Sequence, residues 1–214
     1  MGKKLVRATV FLLAFLFAAY AIIQFGFFSP RKAGLVSFKL RSSDFHLEPW
    51  IYILYIHIVT GVLALVIGPF NLFRSPLHEK TRRRHRLMGY VYVGAITVSG
   101  LVNLYLSCFA TGGWVAGLGF AMLDICWMLT TWYSVLLISR NDMQGHRRWM
   151  LRSYALTFAA VTLRLWLPIL LLLFGGDFIL AYQIVSWLCW MGNLLVIEAV
   201  IRWRFRQSKL EPWT

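Results

Sequence analysis

Six apolar runs of roughly twenty residues, divided by short polar segments, constrain this chain more than anything else in it. About twenty apolar residues in helical conformation, each rising about 1.5 Å, span the ~30 Å hydrocarbon core of a bilayer. The runs cover about residues 5–28, 50–73, 86–107, 114–138, 149–174 and 178–201. No water is available in hydrocarbon to satisfy N–H and C=O groups, so runs of this length must close their hydrogen bonds internally as helices. The expectation is an all-α membrane protein: one six-helix transmembrane domain over 1–214, a polar external loop at 29–49, and the second to fifth helices as a candidate four-helix core. Composition agrees, with 59% hydrophobic and only 14% charged residues, against about 25% charged in soluble domains.

Charge sets the orientation. With the N-terminus inside, the inner segments hold seventeen of the 22 Lys and Arg residues, and the outer loop holds four, leaving Arg164 within a run. The positive-inside rule then places both termini in the cytoplasm and the chain in the inner (cytoplasmic) membrane as a multi-pass protein. The net charge of +14 does not point to nucleic acid. The basic residues sit at the ends of apolar runs, where they meet anionic phospholipid headgroups, and no soluble domain offers a basic face. The first run follows Lys3, Lys4 and Arg7 and exceeds the 7–15 residues of a signal-peptide core, so it reads as an uncleaved helix. Cys108, Cys126 and Cys189 lie in or beside apolar runs without metal-site or CxxC spacing, and read as packing residues. Val36-Ser-Phe-Lys-Leu40 alternates weakly, as a short strand or an extended cover would. Thr111-Gly-Gly and Gly175-Gly-Asp177 read as tight turns, and His46 and His78 as solvated loop residues.

Two sets of side chains carry the only candidate chemistry. At the inner face, His85 opens the third run and His146 precedes the fifth, at one depth on separate helices. A bis-histidine b-type haem needs two imidazoles at one level across a ring-sized gap. Arg86, Arg147 and Arg148 could hold its propionates, and Met88, Trp149, Tyr92 and Tyr154 could line the ring. The alternative is an interfacial His–Arg cluster that holds lipid phosphate at helix starts. The second set is buried: Asp124 and Arg164 lie at equal depth on the fourth and fifth runs, with His57 near that level on the second. A charge at mid-bilayer costs at least ~2.5–3.5 kcal/mol, so Asp124 and Arg164 are expected to pair. Arg152 and Glu198 share a depth near the inner face. They read as a structural pair, with Glu198 alternatively fixing the tautomer of His146 or His85. Besides a haem iron at His85 and His146, no metal set is apparent, and no reaction can be read from these residues.

The segments His85-Arg-Leu-Met88…Tyr92 and His146-Arg-Arg-Trp-Met150…Tyr154 form a faint repeat. It would relate the second and third runs to the fourth and fifth by an axis along the membrane normal. Together with His57-Ile-Val-Thr-Gly61, Gly68-Pro-Phe and Arg164, these motifs resemble a family of prokaryotic membrane proteins of unknown function, across the second to sixth runs. That resemblance implies a multi-pass fold and no assigned activity. The histidine-bearing bundle is loosely similar to transmembrane b-type cytochromes, but the fourth run has no histidine, which argues against two haems. Three readings follow. One is a haem b redox protein drawing electrons from a quinol or another redox partner. The second is a cofactor-free binding or transport protein using His57, Asp124 and Arg164. The third is an accessory membrane subunit.

Overall fold

The computed structural model describes residues 2–28, 31, 34–40, 47–73 and 79–210. Within them the chain forms helices α1 (Gly2–Ile22), continued by a π-helical turn over Ile23–Phe27, α2 (Gly34–Lys39), α3 (Trp50–Phe73), α4 (Glu79–Ser107), α5 (Gly113–Ser139), α6 (Met143–Thr157), α7 (Ala159–Leu173) and α8 (Phe178–Leu210). Six helical stretches are long and apolar enough to cross a membrane, α6 and α7 together making one of them. Among the described residues there is no strand. His46, Arg74, Pro76 and His78 lie outside the described residues.

Three boundaries depart from the hydropathy reading, each for a physical reason. Helix α4 begins at Glu79 rather than near Arg86. Lys, Arg and Glu favour helix nearly as well as Leu, so the helix continues past the apolar limit into the basic segment. Helix α8 likewise runs on to Leu210. Residues 36–40, expected as a short strand or extended cover, fall largely within the helix Gly34–Lys39. Lys39 ties this short helix down: its ammonium lies over the Trp50 ring at 5.4 Å and donates to the carbonyl of Phe109. Partial burial there pushes the Lys39 ammonium below its usual pKa.

The two predicted glycine turns are present. Gly113 (φ +68°), Gly175 (φ +60°) and Gly176 (φ +89°) occupy the left-handed region, which a side chain would disfavour. The fifth span is divided at Phe158. There the Thr157 hydroxyl donates back to the Ser153 carbonyl at 3.0 Å and Thr162 to that of Phe158 at 3.3 Å, a back-bonding that bends helices.

Helix α3 packs on α4, α4 on α5, α5 on α6, and α6 returns against α3. This closed ring is the four-helix core the sequence suggested. Helix α7 packs chiefly on α8, α8 also covers α5 and α6, and α1 lies against α3. The ring's interior is filled by Ala64, Tyr92, Ala95, Ile96, Trp127 and Tyr154, all buried.

Candidate cofactor site at the basic end of the ring

The histidines are positioned by a buried lattice of hydroxyls. The Tyr92 hydroxyl on α4 lies 3.0 Å from Ser153 Oγ and 2.9 Å from Thr157 Oγ1, both on α6. Thr131 Oγ1 on α5 lies 2.7 Å from Ser153 Oγ, and the Trp127 indole donates to Thr157 Oγ1 at 2.9 Å. Each hydroxyl has a partner, so the lattice fixes the register of α4 against α6 without leaving an unpaired polar atom.

That register places the two histidines. His85 precedes Tyr92 by seven residues, and His146 precedes Ser153 by seven. Seven residues are about two turns, or about 10.5 Å, and return to nearly the same helix face. Both helices run outward from the basic face, so His85 and His146 stand at one level, two turns below the Tyr92–Ser153 bond.

Their hydrogen bonds differ. His146 Nδ1 lies 2.9 Å from the Ser134 carbonyl and 2.8 Å from Ser134 Oγ, while that hydroxyl donates to the His146 carbonyl at 3.3 Å. A carbonyl only accepts, so this network assigns the proton to Nδ1 and leaves the Nε2 lone pair free in the neutral ring. Nδ1 of His85 is buried and has no partner among the described residues. His57 repeats the His146 arrangement near the other face, with Nδ1 3.0 Å from Ser99 Oγ and 3.4 Å from the Ser99 carbonyl.

The flanking residues are less uniform than expected. Arg86 and Arg147 are exposed, each one residue beyond its histidine. Arg148 projects about 200° around the helix from His146 and lines a cleft outside the ring, together with Trp149. Tyr92 and Tyr154 lie deeper, already bonded, Tyr154 to the Leu65 carbonyl at 3.3 Å. The repeat does not make these tyrosines equivalent. Tyr154 follows His146 by eight residues and Tyr92 follows His85 by seven, a difference of about 100° around a helix.

The expected Asp124–Arg164 pair is not formed. Asp124, 1% exposed, accepts from the Asn103 amide on α4 at 2.8 Å. Arg164 donates to the Ala160 carbonyl of its own helix at 2.7 Å and lies over the Tyr20 ring at 5.8 Å, on the α1 side. The span divides at Phe158, and α7 turns to α8 rather than to α5. Arg152 and Glu198 do meet, in a fork with contacts of 2.8–3.1 Å. Glu198 is thereby engaged with arginine, and it is Ser134 that orients His146.

Sequence reasoning missed Ser99, Ser134, Thr131, Trp127 and Thr157. For the four Ser and Thr residues the available signal was a hydroxyl recurring inside apolar runs, where it must find a partner; Trp127 joins them through its indole N–H.

A family model described as "Predicted membrane protein (DUF2306)" matches residues 54–201. No curated protein and no solved structure matches the chain.

Proposed function

Since the chain belongs to the DUF2306 family of predicted membrane proteins, we propose from the site geometry that this multi-pass protein binds one b-type haem through His85 and His146 and serves in electron transfer. The observation that carries the reading is the pair of imidazoles at one level on α4 and α6. One has its Nδ1 proton anchored by Ser134 and its Nε2 free. The other has a buried ring nitrogen with no protein partner among the described residues.

The donor set suits a macrocycle better than a bare ion. Among the described residues no three His, Cys, Asp or Glu side chains converge, as a protein-bound metal ion needs. A porphyrin would bring four nitrogens of its own and need only His85 and His146 from the protein to hold its iron. Bound there, haem iron supplies one-electron chemistry. The chain's own residues do the rest. Ser134 holds the His146 ring in one orientation and raises its basicity, as a hydrogen bond to the distal nitrogen does. Arg86 and Arg147, exposed at the basic face, suit two propionate carboxylates. The Tyr92–Ser153–Thr157 lattice keeps the spacing of α4 and α6 and closes the site toward the bilayer centre.

The basic face is cytoplasmic in this reading, and the electron donor is a quinol from the bilayer or a soluble reductant at that face. The test is an absorption spectrum of protein purified in detergent after expression with haem supplied, oxidised and then dithionite-reduced. A Soret band with sharp reduced α and β bands, lost in His85→Ala and in His146→Ala, is the expected result. A colourless protein would sink the reading.

A further inference from the structure

Outside the ring, one cleft gathers charged groups that the haem reading does not use. It lies at the basic face where α5, α6 and α8 meet, and measures about 460 Å³. Tyr133, Leu137, Trp149 and Ile201 give it an apolar floor, and Arg148, Arg152 and Arg202 approach it from the rim. It sits at the ends of two spans, Met143–Leu173 and Phe178–Trp203, at the depth where headgroups replace hydrocarbon.

The charges do not cancel. Two carboxylates face the three guanidinium groups, Asp142 and Glu198. Asp142 is committed to capping α6, accepting from the Gly145 amide at 2.8 Å. Glu198 is committed to Arg152 at 2.8 Å and lies 3.6 Å from Arg202. Arg148 has no carboxylate partner among the described residues; its Nε reaches only the Gln144 carbonyl of its own helix, at 3.4 Å. One positive charge is left over. Arg152 is also preorganised: its guanidinium lies over the Trp149 ring at 4.6 Å, and that ring meets Tyr133 edge-on at 4.7 Å. Arg152 holds Glu198 with Nε and Nη2, which leaves Nη1 to offer one phosphate oxygen beside the Arg148 guanidinium, which can take another.

We propose that this cleft binds a phosphate group carrying one negative charge, presented by an anionic phospholipid of the leaflet at the basic face. The phosphodiester of an anionic lipid balances the surplus charge on the arginine rim, which a zwitterionic headgroup with its own ammonium does not, and the apolar floor accepts the start of an acyl chain. A free phosphate would satisfy the rim and leave the floor uncovered.

The full chain, delipidated in detergent, is titrated with dioleoyl-phosphatidylglycerol, dioleoyl-phosphatidylcholine or inorganic phosphate. Thermal midpoint and native mass spectrometry are the readouts. The expected result is one retained phosphatidylglycerol per chain and a rise in midpoint of several degrees. Arg148→Gln/Arg202→Gln loses both, and phosphatidylcholine gives neither. Retention of phosphatidylglycerol by the double variant, or no preference over phosphatidylcholine, overturns the assignment. A shift reproduced in full by inorganic phosphate keeps the anion chemistry and overturns the lipid as its source. If the double variant does not fold, Arg148→Gln alone carries the test, because that side chain has no carboxylate partner to lose. The visible spectrum of these variants is expected to match that of the parent, so this inference and the haem reading fail separately.

Discussion

The hydroxyl of Tyr154 on α6 donates to the carbonyl of Leu65 on α3 at 3.3 Å, because Pro69 cannot. Proline lacks the N–H that would bond the carbonyl one turn back, and in hydrocarbon that carbonyl finds no water. Gly68 makes the donation reachable: a Cβ there would lie 2.3 Å from two carbons of the Tyr154 ring. Gly68-Pro69 and Tyr154, far apart in the chain, are thus one joint that closes the four-helix ring.

Two variants test the joint. Tyr154→Phe keeps the ring and strands the Leu65 carbonyl, at a cost of about 1–3 kcal/mol. Gly68→Ala forces the ring aside, and overpacking typically costs about 1–3 kcal/mol. Both are expected to lower the unfolding temperature in detergent. Gly68→Ala is expected to be much less harmful when Tyr154 is replaced by Leu, and simple additivity of the two changes would show that the contact does not matter.

The serine beneath His146 gives a second prediction. Ser134→Ala removes the hydroxyl that braces the ring while its carbonyl still accepts from Nδ1. Loss of a residue that orients a metal ligand typically costs about 10–100-fold in affinity. On the proposed haem reading, absorbance per mole of protein should therefore fall in Ser134→Ala during purification and recover when haem is added in excess. Ser99→Ala, which makes the like change beside His57, should leave the spectrum untouched. Equal loss in both variants would place the cofactor elsewhere.

The lattice itself can be probed without touching a histidine. Thr157→Val keeps the shape of the side chain. It removes the oxygen that meets both the Tyr92 hydroxyl and the Trp127 indole. An indole N–H stranded in the core costs about 1–3 kcal/mol, so a clear drop in unfolding temperature is expected. Thr60→Val provides the control. Among the described residues its hydroxyl bonds only to carbonyls of its own helix, Ile56 and His57, and little change in midpoint is expected there.

What the sequence disclosed was local, and what it hid was azimuthal. The spans, the glycine turns and the common depth of His85 and His146 depend on composition and residue spacing, which a single chain displays. The partner of Asp124 does not. Depth along a helix can be counted from its ends, but which neighbour a face meets depends on how each helix is rotated and which helix lies beside it. The span divides at Phe158, carrying Arg164 away from α5 and leaving Asp124 to Asn103. Ser99 and Ser134 stayed hidden for the same reason, since a serine in an apolar run looks like filler until the facing histidine is known. Helix α4 ran past its predicted start because hydropathy marks the edge of hydrocarbon, whereas the helix ends where its backbone bonds end.

Asp124 and Arg164 supply the last test, because the bonding found here and the pairing expected from depth predict different numbers. Residues that share no partner add within about 0.3–0.5 kcal/mol, whereas contacting pairs couple by about 0.5–3 kcal/mol. A double-mutant cycle on Asp124→Asn and Arg164→Gln, read by thermal unfolding in detergent, should therefore show no coupling beyond the additive range. The same cycle on Arg152→Gln and Glu198→Gln, whose groups meet at 2.8 Å, should show clear coupling. Asn103→Ala should cost more than Asp124→Asn, since it leaves a buried carboxyl without its amide donor, while the asparagine variant still offers an oxygen to Asn103. Strong coupling between Asp124 and Arg164 would mean that the two groups meet in the membrane. That would restore the buried-pair site, with His57 at its edge, as the place to look for a bound ion or substrate.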